Sequence, residues 1–180
     1  MRPGVLASLL MCSCTFGAAA RVSATLRDGQ VQYGGDLEGS IGVTRLDETG
    51  ASTLEVSTLR DASGFAFLAF VGLGWFEHRP VFTWGWDIVK LRPGQIGVSG
   101  GIHGSTDDEC TRIMFGIGPS GVLATTHADP RPDSWGPNPH LKRIYHSLNV
   151  IGGFANCRDH PEVGLAYAVG HTDLHFAPGP

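Results

Sequence analysis

The stretches "VSATL" (22–26), "SIGVTRL" (40–46) and "STLEVSTL" (52–59) alternate apolar with polar or small residues. A period of two is the mark of a strand with two unlike faces. "DGQ", "YGGD", "DETG" and "DASG" punctuate this part of the chain with residues suited to turns. Further on, Ile113, Phe115 and Ile117 stand two apart, and "GVLATTH" (121–127) and "VGLAYAVGH" (163–171) read as two more strands. No long amphipathic helix is present. A chain of 180 residues with 26 glycines, and with lysine only at positions 90 and 142, is poor in helix formers. These features predict one all-β domain, an antiparallel sandwich or barrel.

Two segments depart from this rhythm. Residues 61–90 hold Trp75, Trp84 and Trp86 and the run "FAFLAFVGLGWF" (65–76), which is too short to cross a bilayer as a helix and reads as core. Residues 129–141, "DPRPDSWGPNPHL", carry prolines that exclude a central strand and predict a long loop.

The first twenty residues have the build of a secretory signal: Arg2, the apolar "VLASLLMCSCTF", then "GAAA" ahead of a cleavage site near Ala20, the alternatives being a membrane anchor or a buried N-terminal strand. That predicts a secreted, extracellular protein comprising residues 21–180. Cleavage would remove Cys12 and Cys14 and leave Cys110 and Cys157, which an oxidising compartment would join, the alternative being two buried thiols. Loss of Arg2 would move the net charge from −4 to −5. An acidic chain argues against nucleic acid or an anionic membrane as partner, and no membrane span is expected.

No Ser-x-x-Lys, Gly-x-Ser-x-Gly, Walker loop, His-Glu-x-x-His or Cys-x-x-Cys occurs. The eight histidines invite a metal reading instead. On a strand, "HTDLH" would put His171, Asp173 and His175 on one face, and with His160 they form a candidate zinc set. The competing reading is a solvated chain end.

From Gly121 onward the chain resembles the copper/zinc superoxide dismutases. "GVLATTHADP" matches that family's strand ending in a copper-ligating histidine, here His127. "RPDSWG" stands for its acidic, glycine-bearing loop, and "NVIGGFANC" supplies Asn149, Gly152, Gly153 and Cys157. More loosely, "ATLRDGQVQ…GSIGVTRLDE" is similar to its opening hairpin, "LRPGQIGV" to the turn before its copper strand, and "HGSTDDECT" to the stretch ending in its first disulfide cysteine, Cys110. The resemblance implies a Greek-key antiparallel β-sandwich with residues 61–90 as an atypical insertion. It also implies a Cys110–Cys157 bridge, copper and zinc as cofactors, superoxide as substrate, and a homodimer. His127 would be a metal ligand, joined by His103 from a neighbouring strand and by His146.

The pattern departs from the family at the metal. There is no His-x-His, Ser99 and Gly101 stand where that pair belongs, and no two histidines have the zinc segment's spacing. Phe154 replaces the arginine that would attract the anion. The expectation is therefore a superoxide dismutase-like protein with a degraded site. Its alternatives are the zinc reading and a secreted binding module presenting Phe76, Trp84 and Trp86 as an apolar patch.

Overall fold

A computed structural model describes residues 12–46, 63–128, 140–157 and 160–175. Eight strands follow in order: β1 (Cys12–Arg27), β2 (Gln30–Leu46), β3 (Gly64–Phe76), β4 (Arg79–Leu91), β5 (Gly97–Thr106), β6 (Thr111–Ala128), β7 (His140–Ala155) and β8 (Glu162–His175). Each pairs antiparallel with its neighbour in sequence, and β8 pairs back onto β1, closing a barrel. The expected Greek-key sandwich is thus corrected to an up-and-down barrel. A Greek key needs strands that are neighbours in space but not in sequence, and the one such pair here is the β1–β8 seam.

The register fixes the geometry. Stepping across hydrogen-bonded partners from Phe16 leads through Ile41, Ala69, Trp86, Ile102, Phe115, Gly152 and Val163 to Leu26, ten residues further along β1. Eight strands with that displacement incline by about 40° to the barrel axis and leave an interior that side chains can fill.

Local sequence accounts for the turns. Asp28 and Gly29 both have positive φ, 48° and 77°, and make the two-residue hairpin turn that "RDGQ" predicts. Glu77 and His78 do the same between β3 and β4 at 49° and 67° without a glycine. Pro93 and Gly94 (φ 69°) form a turn closed by the Gln95 N–H donating to the Arg92 carbonyl at 3.3 Å. Between β5 and β6 the Asp107 carboxylate accepts the N–H groups of Glu109 and Cys110 at 2.8 and 2.7 Å. These bonds hold its carboxyl below the usual range.

Several expectations change. "YGGD" is no turn. It lies within β2, where a Cβ on Gly34 would come 2.8 Å from the Phe76 ring, so the site requires glycine for close approach. Residues 61–90 are no insertion; from Gly64 on they supply β3 and β4. "STLEVSTL" and residues 129–139 lie outside the described residues. Residues 12–20, placed above within a leader, open β1, and Cys14–Ala20 pair with both β2 and β8. Cys110 and Cys157 are joined, with Cα atoms 5.2 Å apart, tying the β5–β6 connection to the end of β7.

Three outcomes are expected. His78→Gly should stabilise the barrel by about 0.5–1 kcal/mol, because left-handed backbone costs a non-glycine residue more than glycine loses in chain entropy. His78→Val should destabilise it, and the urea midpoint reads both. A chain shortened to begin at Arg21 should lose the seam partners of residues 169–175 and fail to close, seen as lost protease resistance.

Candidate functional site

The barrel is polar inside and apolar outside. Arg21 on β1 is buried at the middle of the lumen, and one Nη2 reaches Glu38 at 2.8 Å and Asp87 at 3.2 Å. Asp36 lies 3.9 Å from its Nη1. Nη1 also donates to Nδ1 of His103. Because a guanidinium can only donate, that nitrogen accepts, and the His103 proton sits on Nε2, which donates to Asp87 at 2.8 Å. Phe70 stacks on His103 with centroids 4.9 Å apart and lies 5.1 Å beneath the guanidinium. One arginine thus gathers three carboxylates and an imidazole from β2, β4 and β5.

Two further layers fill the lumen. Towards the two-residue turns, Arg112 donates to the fully buried Glu162 and lies 3.4 Å over the Phe76 ring, while Arg27 stands 3.8 Å from Glu162 and 3.4 Å from Glu77. Towards the opposite mouth, Ala66, Leu68, Val89, Leu91 and Tyr145 pack into an apolar plug with Val122 against it. Between the charged layers a cavity of about 60 Å³ remains, lined by Arg21, His103, Arg112 and Asn149 among others. It has room for ordered water.

The outer wall is the reverse. Every strand contributes exposed apolar residues, among them Phe16, Leu37, Leu73, Trp84, Val98, Phe115, Val150 and Leu165. Leu37 is 69 % exposed and Leu73 72 %. Charged side chains that face outward stand near the rims. Arg45, Lys90, Lys142 and Asp173 lie by one mouth, with Lys142 and Asp173 3.6 Å apart, and Arg79 pairs with Glu109 by the other. Between the rims, His146 and His171 are the polar outward residues among the described ones. Tyr33, Trp75 and Phe154 ring the turn end, and Phe65 sits under Lys90, 4.4 Å from its Nζ, at the other. β3, with 13 residues, rises roughly 30 Å along the axis at this tilt.

The proposed metal ligands are not assembled. His103 points into the lumen, bound to Arg21 and Asp87, whereas His146 lies on the outer face beside Tyr167. The wall separates them, so one ion cannot take both. His127 lies near the end of β6, paired in register with Leu141. Among the described residues no group of three or more His, Cys, Asp and Glu is placed to hold a metal. The zinc set fails on distance. His171 and Asp173 do share the outer face, as strand alternation requires, but His160 precedes β8 and His175 ends it. A 14-residue strand separates them, roughly 45 Å. The expected patch is also divided: Phe76 is buried in the lumen while Trp84 and Trp86 face out.

The lumen network is not legible in the sequence. Its members lie tens of residues apart, and the only local signal was a charged residue at an inward step of an alternating run, as at Arg21 and Glu38.

No family model and no curated protein matches the chain. Among solved structures it is similar to Ail, the attachment invasion locus protein of Yersinia pestis, in complex with the heparin analogue sucrose octasulfate. Identity is 14 % over 92 % of this chain and 99 % of that one, with a TM-score of 0.28. A second Ail structure aligns at 15 % identity over 92 % and 97 %, TM-score 0.24. An acetoacetate decarboxylase-like enzyme from Sphingomonas wittichii RW1 aligns at 14 % over 93 % and 94 %, TM-score 0.18. Likenesses this faint add nothing to the topology described above. With a closed neighbour-to-neighbour barrel and no family match, the superoxide dismutase assignment is withdrawn, and its reaction with it.

Removing Arg21 should be costly, because it would leave buried carboxylates without a counter-charge. Arg21→Met is expected to destabilise the barrel by about 3–5 kcal/mol. Adding Glu38→Gln should recover part of that loss. Urea unfolding of the two variants beside the parent protein measures both.

Proposed function

We propose that this chain is an integral membrane protein of the β-barrel kind, a closed scaffold seated in a bilayer of the cell envelope. The observation that carries the reading is the apolar belt on the outer wall, opposite a lumen packed with paired charges. In water such a surface would be an aggregation hazard, since soluble monomers rarely expose large contiguous apolar patches. In a bilayer it is the required exterior, and transmembrane barrels have an apolar band about 25 Å tall flanked by aromatic residues. Here the strands are long enough, the charges stand at the rims, and aromatic residues mark both ends.

No helix among the described residues is long and apolar enough to cross a membrane. Strands cross with far fewer residues, so that absence says nothing about a β-barrel. The freely secreted state gives way in this reading to residence in the envelope. The apolar plug and the ion pairs make the lumen a packed core, so the barrel is an anchor and display scaffold and not an open pore. The strand ends Leu46, Gly64, Ala128 and His140 lie at the mouth where β1 begins and β8 ends.

The full chain should resist carbonate extraction from membranes, require detergent for solubility, and migrate faster on SDS gels unheated than heated. Vesicles containing it should show no passive solute flux. A depth series is the sharper test. Val71→Arg, at mid-wall, should cost about 2–4 kcal/mol of folding free energy in vesicles, and Val31→Arg, near the rim, about 0–1 kcal/mol. Equal and negligible effects at both positions, in protein that stays soluble without detergent, would refute membrane residence.

A further inference from the structure

The outer wall carries a concave site beside the mouth where β1 begins and β8 ends. The Arg92–Gln95 turn is strapped to β6 by a Pro93–Val122 bridge, and β6 itself has an irregular register between Val122 and Ala124. Between this lip and β7–β8 runs a groove of about 520 Å³, with Ile96, Pro119, Leu148 and Tyr167 along its sides. Its floor is kept open by Gly121, the register partner of His146; a Cβ there would come 2.8 Å from His146 Nε2. Ile96 is 80 % exposed at the lip.

His146 is the informative residue. It is half-buried on the outer wall, packs edge-on to Tyr167 with centroids 6.1 Å apart, and has no hydrogen-bond partner among the described residues. Lys142, two outward steps away on the same strand, marks the rim. A polar ring set within an apolar belt needs a partner, because an unmet hydrogen-bonding group in an apolar medium costs free energy. The belt continues directly into the groove, so what covers the one covers the other.

We infer that the groove is a seat for a single glycerophospholipid, a reading that rests on membrane residence. One acyl chain lies against Pro119, Leu148 and Tyr167. The phosphoglycerol end lies by Gln95 and reaches down the groove from the rim to His146. His146 donates to a phosphate or ester oxygen, and Gly121 supplies the depth. This lipid is held longer than the bulk lipid around the rest of the wall.

The full chain carrying a benzophenone amino acid in place of Leu148, or of Val150 one outward step further along the same strand, is reconstituted in dioleoylphosphatidylcholine vesicles with and without dioleoylphosphatidylglycerol, then irradiated. Lipid adducts should be several-fold more abundant at 148 than at 150. Gly121→Leu, which fills the groove, and His146→Leu, which removes the donor, should each abolish the excess. Heat-dependent gel migration verifies that both variants are folded, and the second variant stands if the first is not. Equal adduct yields at the two positions, or adducts to a second copy of the chain, overturn the lipid seat while leaving membrane residence intact. Failure to enter the vesicles at all overturns both.

Discussion

Closure of the sheet is the condition on which the rest depends. An open sheet leaves two edges of unpaired N–H and C=O groups, and in hydrocarbon each costs several kcal/mol because no water can satisfy it. Here the β1–β8 seam runs from Cys14↔His175 to Leu26↔Val163 and removes both edges. The displacement of ten residues that closes the ring also sets its bore. With eight strands the bore is narrow, so every inward side chain must find a neighbour within it.

That narrowness explains why charge can be the filling. Isolated buried ions are costly, and pairing plus hydrogen bonding is what makes them tolerable. Arg21 and Arg112 each offer a planar fork to carboxylates and a flat face to an aromatic ring, Phe70 in one case and Phe76 in the other. Lysine could not do both. In the proposed bilayer setting the outer wall would need no such pairing, because contact with lipid satisfies apolar side chains without specific partners. A water-soluble sandwich built of the same strands would have to turn each of them over.

This reversal marks the limit of what the sequence discloses. Alternation in "VSATL" and "SIGVTRL" correctly located β1 and β2, and the Asp28–Gly29 pair correctly placed their turn. Period two, however, states that a strand has two faces and is silent on which one faces in. Thr25 and Thr44 look like solvent positions and are buried, while Val22 and Ile41 look like core and are exposed. "FAFLAFVGLGWF" misled for a second reason. Its inward Ala66, Leu68 and Phe70 belong to the plug and core, so both faces are apolar and the alternation vanishes. Judged against the twenty residues of a helical span it is short, but it exceeds the length of a strand that crosses. His127 resembled a copper ligand because a histidine ending a strand is a common local pattern. What makes a metal site is convergence of several ligands, and the wall holds His103 and His146 apart. The groove at Gly121 left no trace in the sequence, since its depth comes from an irregular register and a turn folded back onto β6.

The seam also sets the order of assembly. Residues 14 and 175 are partners, so the contact that finishes the barrel joins nearly the two ends of the chain. Hairpins such as β1–β2 and β3–β4 can form locally as soon as their own residues are available, whereas the ring cannot close until the last strand has been made. Topologies with contacts this distant fold slowly. Until β8 arrives, β1 presents an open edge along an apolar wall, and the unfinished chain must be kept from pairing with others. The time at greatest risk for this protein is therefore the interval between synthesis of its first strand and delivery of its last.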